Sequence, residues 1–315
     1  MGIRKPFRPR LSGFSIFESM NSIHTIVIAG GTHGNELTGI KLYEKWTADG
    51  GLAEKCKSAE IALVHTNIEA TAACRRYIDM DLNRSFAESL LRLESPSAYE
   101  IRRAKELDER FGPKGPHTRT DLIIDIHNTT SNMGICLILS ARDPFTMRAS
   151  AEIAHEFPDA RIYYQPEERG ESPYFGTIAK ADICLEVGPQ PHGSLDAKLF
   201  RETERVVFRY LELADEWNAG TLQNKPKKKV DIYTQYKDID YPRDRSGNIA
   251  AMVHPALRNG DYGELAPGDA LFQTFDYETI PYDGDRVVCP IFIDESAYYE
   301  KKLAMSLTVK TSEEW

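Results

Sequence analysis

The sequence predicts an α/β fold: a central mixed, mostly parallel sheet flanked by helices, then a smaller, mostly β C-terminal domain. Three observations predict it. From residue 23 onward short β-branched runs alternate with longer segments of helical period, the pattern of helices connecting parallel strands. The runs are apolar enough to be buried on both faces. After Gly220 the long helical segments give way to short strands and turns.

The candidate strands are Ile23 to Ile28, Ile61 to His65, Leu122 to Ile126, Ile135 to Leu139, Arg161 to Tyr164 and Ile183 to Val187. Helical character falls on Leu37 to Trp46, Tyr99 to Phe111, Phe145 to Phe157 and Leu195 to Trp217. In the second of these, Ile101, Ala104, Leu107 and Phe111 recur every three or four residues and form one apolar face. The run Lys225 to Lys229 (KPKKK) reads as a solvated linker rather than a phosphate-binding arm. Beyond it the turn signals RDRSGN, RNGDYG, APGDA and YDGD leave no long helical stretch before YYEKKLAM. The expected organisation is an N-terminal extension over residues 1–22, a catalytic domain over 23–222 and a β-rich domain over 223–315.

Composition narrows the function classes. The 315 residues carry a formal net charge of −9 with 41% hydrophobic and 28% charged residues, which describes a soluble, enzyme-sized chain with a sizeable core. An acidic chain without a clustered Lys/Arg excess is not expected to bind nucleic acid. Cys56, Cys74, Cys136, Cys184 and Cys289 are odd in number and lack CxxC pairs, which fits reduced thiols in the cytoplasm. The first 22 residues have neither the apolar core of a signal peptide nor a membrane span, so no membrane association is expected.

Four stretches carry chemistry. In TIVIAGGTHGNELTG a strand runs into glycines and then His33 and Glu36, three apart where a helix is expected to begin. One helical turn between them stacks both side chains on one face, able to donate a nitrogen and an oxygen to one ion. A capping Glu with an exposed His is the plainer alternative, and the glycines do not keep the GxGxxG spacing of a nucleotide site. In TDLIIDIHNTTSNMG, His127 follows another buried strand and offers a third ligand; a His/His/carboxylate set leaves one tetrahedral position open, the arrangement of catalytic zinc. Asp125 shares the strand face of His127 and is either a partner fixing its imidazole or a structural strand-end acid.

In ADICLEVGPQPHG, Glu186 interrupts an apolar run. Burial raises a carboxyl toward the range where it can take and return a proton, so Glu186 reads as a general base, the alternative being a buried ion pair. In CRRYIDMDLNRSF, Arg75, Arg76, Asn83 and Arg84 surround a short apolar stretch. They offer donors for an oxyanion and a carboxylate, or simply surface ion pairs. Cys136 and Cys184 lie in strands with no signal of a lowered pKa, so a thiol nucleophile is not expected.

The blocks GGTHGNELTG, YIDMDLNR, DIHNTTSNMG, LEVGPQP, YPRDRSGNIAAMVHP and ESAYYEKK occur in order, and with them the chain resembles the aspartoacylase/aminoacylase-3 family, related to the succinylglutamate desuccinylases. The resemblance spans roughly residues 23–303. It implies a zinc carboxypeptidase-like α/β domain, a smaller β domain partly covering the site entrance, and a homodimer or higher homo-oligomer. It implies one Zn2+ per subunit on His33, Glu36 and His127, Glu186 as general base and Arg76 polarising the carbonyl. Asn83 and Arg84 match the clamp for the substrate α-carboxylate, and Tyr298 a substrate-contacting tyrosine. The activity implied is hydrolysis of an N-acyl amino acid, a small-molecule substrate, releasing acetate and the free amino acid. The alternatives are deacetylation of N-acetyl aromatic amino acids or mercapturates, a desuccinylase and a carboxypeptidase.

One loop departs from the family pattern. In EERGESPYFGTIAK, Gly176 stands where aspartoacylases carry the arginine that binds the aspartate side chain, and Ser172 stands at the place of a nearby tyrosine. Arg169 or Tyr174 is the available substitute if the loop is repositioned.

Overall fold

The structure, a computed structural model, describes residues 22–315; apart from Ser22, the expected extension over residues 1–22 lies outside the described residues. Strands β1 (Thr25–Gly30), β2 (Glu60–His65), β3 (Leu122–Asn128), β4 (Gly134–Leu139), β5 (Ala160–Tyr164) and β6 (Ala181–Gly188) match the six expected runs to within two residues. The later part of the chain adds β7 (Lys229–Ile239), β8 (Ala251–Val253), β9 (Ala270–Thr274), β10 (Thr279–Pro281), β11 (Cys289–Ile291) and β12 (Met305–Glu314). Helices α1 (Leu37–Ala48), α2 (Tyr99–Phe111), α3 (Pro144–Glu156) and α4 (Ala197–Asn218) are those longer than ten residues among the described residues.

A nine-stranded sheet runs β11-β12-β7-β5-β4-β6-β3-β1-β2. The pairs β1–β2, β1–β3, β3–β6, β4–β5 and β5–β7 are parallel, while β4–β6, β7–β12 and β11–β12 are antiparallel. The apolar face of α4, including Val206, Val207, Tyr210 and Leu211, joins Ile124, Ile183 and Leu185 of the strands in the main core. Asp196 starts that helix by accepting the backbone N–H groups of Lys198 and Leu199 at 2.8 Å, and Asp143 caps α3 in the same way ahead of Pro144. No helix among the described residues is long and apolar enough to cross a membrane.

One expectation is corrected: not every run is buried on both faces, since β2 is an edge strand with a half-exposed pattern and no strand pairs beyond it among the described residues. The smaller, mostly β C-terminal region is present, and part of it shares the central sheet. Val230, Ile232 and Tyr233 of β7 are buried and pair beside β5, so β7, β12 and β11 extend the central sheet. Among the described residues only β10-β9-β8 forms a sheet of its own, over a core that includes Ala251, Leu271, Phe272 and Val288. The lysine run between the two regions is tied down: Arg148 donates to the carbonyls of Lys225 and Pro226 at 3.2 and 3.0 Å.

The sheet order places the carboxyl ends of β1, β3 and β6 side by side, the edge at which open α/β sheets place ligands. Glycines let the neighbouring chain close over that edge. A Cβ on Gly30 would stand 2.2 Å from the Gly39 carbonyl oxygen, and one on Gly39 would stand 2.9 Å from that of Ile126. The start of α1 therefore lies directly against the ends of β1 and β3.

Candidate metal centre and adjoining cavity

Between β1 and α1 the chain turns through residues 31–36, with the Glu36 amide donating to the His33 carbonyl at 3.2 Å. Helix α1 begins only at Leu37 and Glu36 is its extended N-cap. His33 and Glu36 are thus neighbours through a turn, not through a helical turn as the spacing suggested. A Cβ on Gly34 would stand 2.2 Å from the carbonyl carbon of Ala70, and the Gly34 amide donates to the Arg76 carbonyl at 3.1 Å. That close approach brings the Arg76 segment onto the same turn.

The structure gathers His33, Glu36 and His127: one ligand atom from each lies within 4.8 Å of the others, and all three residues are buried. His33 Nδ1 is 2.7 Å from Glu36 Oε1 and 3.1 Å from His127 Nδ1, which is 2.9 Å from Glu36 Oε2. The other ring nitrogen of each histidine faces a carboxylate: His127 Nε2 lies 2.8 Å from Asp125 Oδ2, and His33 Nε2 lies 2.9 Å from Asp81 Oδ1. A carboxylate only accepts, so the ring protons belong on Nε2 and both Nδ1 lone pairs face the carboxylate oxygens of Glu36. Lone pairs converging at such distances could share a cation, and two imidazoles with one carboxylate suit zinc. Burial alone would raise the Glu36 carboxyl, but the two imidazoles hold it well below the usual carboxylate range.

Above this cluster opens a cavity of about 480 Å³ whose lining includes His33, Arg76, Asn83, Arg84, Glu186 and Tyr298. Glu186 pairs in register with His127 across β6 and β3, and with Cys184 it projects from the cavity face of β6. Its Oε2 is sealed from solvent and has no hydrogen-bond partner. Burial, together with the Glu36 and Glu295 charges, pushes its carboxyl up to about 8 against the opposing pull of His127 and Arg76. Arg76 donates to Glu36 Oε1 at 2.9 Å and to Asp81 Oδ2 at 3.4 Å. Arg75, its sequence neighbour, faces a smaller adjoining cavity instead.

Asn83 spends its Oδ1 on the Phe175 amide at 2.9 Å, which leaves its Nδ2 as the free donor toward the cavity. Arg84 lies with its guanidinium 4.6 Å from the centre of the Tyr174 ring and donates to the Asn83 carbonyl at 2.6 Å. Tyr298 is carried by a short 3-10 helix, Ser296–Lys301, packed on Phe292 with ring centres 5.4 Å apart. Of the two proposed substitutes in the departing loop, Tyr174 lines the cavity and Arg169 does not. Arg169 donates to Asp182 at 2.9 Å, to Ser140 at 3.3 Å and to the Ala179 carbonyl.

Three residues that sequence reasoning passed over bear on the site. Asp81 receives His33 and Arg76 and caps the turn carrying Asn83 and Arg84; its place in DMDLNR, ahead of a helical turn, was the available signal. Glu295 is buried and accepts from Thr129 Oγ1, from the Thr130 and Ser131 amides at 2.7 and 3.2 Å and from the Ala297 amide at 2.9 Å. It joins the segment after His127 to the helix of Tyr298. Lys301 lines the cavity with an ammonium that lacks a hydrogen-bond partner.

Fold and site define an α/β chain that gathers two histidines and a glutamate at adjacent strand ends beneath a cavity bordered by arginines. Residues 22–214 match the succinylglutamate desuccinylase/aspartoacylase catalytic domain, and residues 228–310 match the AstE/AspA barrel-sandwich hybrid domain. The chain belongs to the succinylglutamate desuccinylase/aspartoacylase family of hydrolases. It is 40% identical to the aspartoacylase of Rattus norvegicus, over 91% of this chain and 93% of that one. It is 37% identical to the N-acyl-aromatic-L-amino acid amidohydrolase of Mus musculus, over 89% and 88% of the two chains. The crystal structure of murine aminoacylase 3 superposes with a TM-score of 0.86 at 35% identity, covering 93% of this chain and 97% of that one.

Proposed function

We propose that this protein hydrolyses the amide bond of N-acyl amino acids, N-acetyl derivatives foremost, with zinc held by His33, Glu36 and His127. The observation that carries the reading is the unpartnered Glu186 carboxyl facing the cavity beside that ligand cluster. When bound, zinc supplies Lewis acidity that polarises a carbonyl and makes water acidic near neutral pH. Every remaining task falls to side chains of the chain.

Asn83 Nδ2 and the Arg84 guanidinium bind the α-carboxylate, with Arg84 held over the Tyr174 ring. Arg76, anchored by Glu36 and Asp81, keeps its charge and places donors where the acyl oxygen gains negative charge. Glu186 accepts the proton of the attacking water at its carboxylate and returns it to the departing amine nitrogen. Its raised pKa suits both transfers. Tyr298 lines the same cavity, within reach of a bound substrate. The near-equal likeness to rat aspartoacylase and to the mouse aromatic amidohydrolase supports the reaction their names share, hydrolysis of an N-acyl amino acid.

The test is an amine-release assay on N-acetyl-aspartate, N-acetyl-tyrosine, an N-acetyl S-conjugated cysteine and N-acetyl-ornithine, before and after chelation. Chelator-sensitive release of at least one free amino acid supports the reading. Release that survives complete metal removal, or no release from any of these or from their N-succinyl counterparts, contradicts it.

A further inference from the structure

The cavity lining carries charged groups of both signs. Its basic side chains are Arg76, Arg84 and Lys301, whose Nζ lies 3.9 Å from Asp81. It also carries carboxyls. Two are neutralised within the protein: Asp182 receives Arg169 at 2.9 Å, and Asp240 receives Arg243 at 2.6 Å. Glu167 and Asp238 have no cation at ion-pair distance among the described residues. Glu167 Oε1 accepts the Gln165 amide at 3.0 Å and Asp238 Oδ1 accepts the Ser306 hydroxyl at 2.7 Å.

Glu167 is joined to the carboxylate clamp by a continuous wall. The Arg84 guanidinium lies on the Tyr174 ring, the Tyr174 hydroxyl is 2.9 Å from Gln165 Nε2, and the same nitrogen donates to Glu167. The clamp and a carboxyl without an ion-pair partner therefore line one chamber, linked through Tyr174 and Gln165 and near enough for the Arg84 charge to act on Glu167. The loop offers no compensating cation. A Cβ on Gly176 would stand 2.6 Å from the Asp182 Cβ, and the Arg169 guanidinium is taken up by Asp182, Ser140 and the Ala179 carbonyl.

We propose that Glu167, presented by Gln165 and Tyr174, selects N-acyl amino acids whose side chain ends in an amine, such as 2,4-diaminobutyrate or ornithine, over those ending in a carboxylate. The inference rests on the deacylase reading of the same cavity. A substrate held by its α-carboxylate on Arg84 brings its side chain along the Tyr174–Gln165 wall. There an ammonium completes a charge-assisted hydrogen bond with Glu167, whereas a second carboxylate meets a like charge in a half-enclosed site.

The test compares kcat/KM of the zinc-loaded full chain for Nα-acetyl-ornithine, Nα-acetyl-2,4-diaminobutyrate and Nα-acetyl-aspartate. It also measures binding of free ornithine and free aspartate by calorimetry. The amine-bearing substrates are expected to exceed the aspartate compound by about tenfold or more, and Glu167→Gln to shrink that ratio about tenfold. Glu167→Arg is expected to raise kcat/KM for Nα-acetyl-aspartate above the wild-type value, a gain that misfolding does not produce. Wild-type preference for the aspartate compound, or a ratio unmoved by Glu167→Gln, overturns the inference while leaving the deacylase reading intact. Glu167-dependent binding of ornithine in a protein that hydrolyses no N-acyl amino acid supports the subsite and removes the deacylase reading.

Discussion

Replacing Glu295 by Ala tests how the region after His127 and the helix of Tyr298 depend on each other. The carboxylate is buried and accepts from the hydroxyls of Thr129, Thr130 and Ser131, from the Thr130 and Ser131 amides, and from the Ala297 amide. Truncation strands the Thr130 and Ser131 amides in a site closed to water, at about 1–3 kcal/mol for each unsatisfied donor. Partial relaxation offsets some of this, so a net loss of ~3–5 kcal/mol is expected, lowering the melting temperature by about 5–10 °C. Turnover should fall by ~100-fold, because small displacements of positioned groups are costly to catalysis. Glu295→Gln keeps the shape and part of the bonding and should recover a share of both. Thermal melting by circular dichroism and kcat/KM on the best N-acetyl substrate provide the two readouts. A Glu295→Ala protein that melts within about 2 °C of wild type refutes the reasoning, since in a chain of this size that corresponds to only about 1 kcal/mol.

Further expectations follow from single observations. Glu186→Gln removes the proton acceptor without breaking a hydrogen bond at Oε2, so turnover should drop by ~100-fold or more while metal content stays level; turnover within tenfold of wild type would exclude the general-base role. Asp125→Asn no longer fixes the His127 ring through a charged acceptor, and zinc affinity measured by competition with a chelating dye should weaken about 10–100-fold. Gly34→Ala places a methyl against the Ala70 backbone and should cost ~1–3 kcal/mol in denaturant unfolding, with loss of activity through the displaced Arg76 segment. Burial raises the Asp261 carboxyl to about 6 from its ordinary 3.8. Between these values the unfolded chain releases a proton that the folded chain keeps, so this group contributes less stability as pH rises from about 4 to 6. Asp261→Asn should therefore gain on wild type across that window, by up to ~3 kcal/mol, and a gap that stays constant with pH would contradict the assignment.

Much of the architecture is legible in residue order because β1, β3 and β6 are apolar on both faces and end in glycine or polar turns. The same regularity made His33, His127 and Glu186 conspicuous, since each lies at or near the end of a buried strand. Asp125 and His127 share a face by the strand period of two, and the structure joins them at 2.8 Å. What escaped depended on distant pairing. Nothing local in KVDIYTQYKDI says that β7 adds to β5 rather than starting a new layer. Asp81 reaches His33 across 48 positions and Glu295 reaches Thr130 across 165, contacts that a one-dimensional pattern does not encode. The spacing of His33 and Glu36 pointed to shared coordination, but its geometry is a glycine-assisted turn, because Glu36 caps the helix and does not lie within it. In the departing loop, Arg169 looked available as a free cation, and only the fold shows it paired with Asp182.

The most direct measurement is the metal content of the purified chain after dialysis against zinc, compared with His33→Ala, Glu36→Ala and His127→Ala proteins whose circular dichroism shows them folded. About one zinc per wild-type chain, lost in each variant together with activity, is the predicted result. A wild-type protein that takes up no zinc, or variants that retain the full complement, would contradict the account.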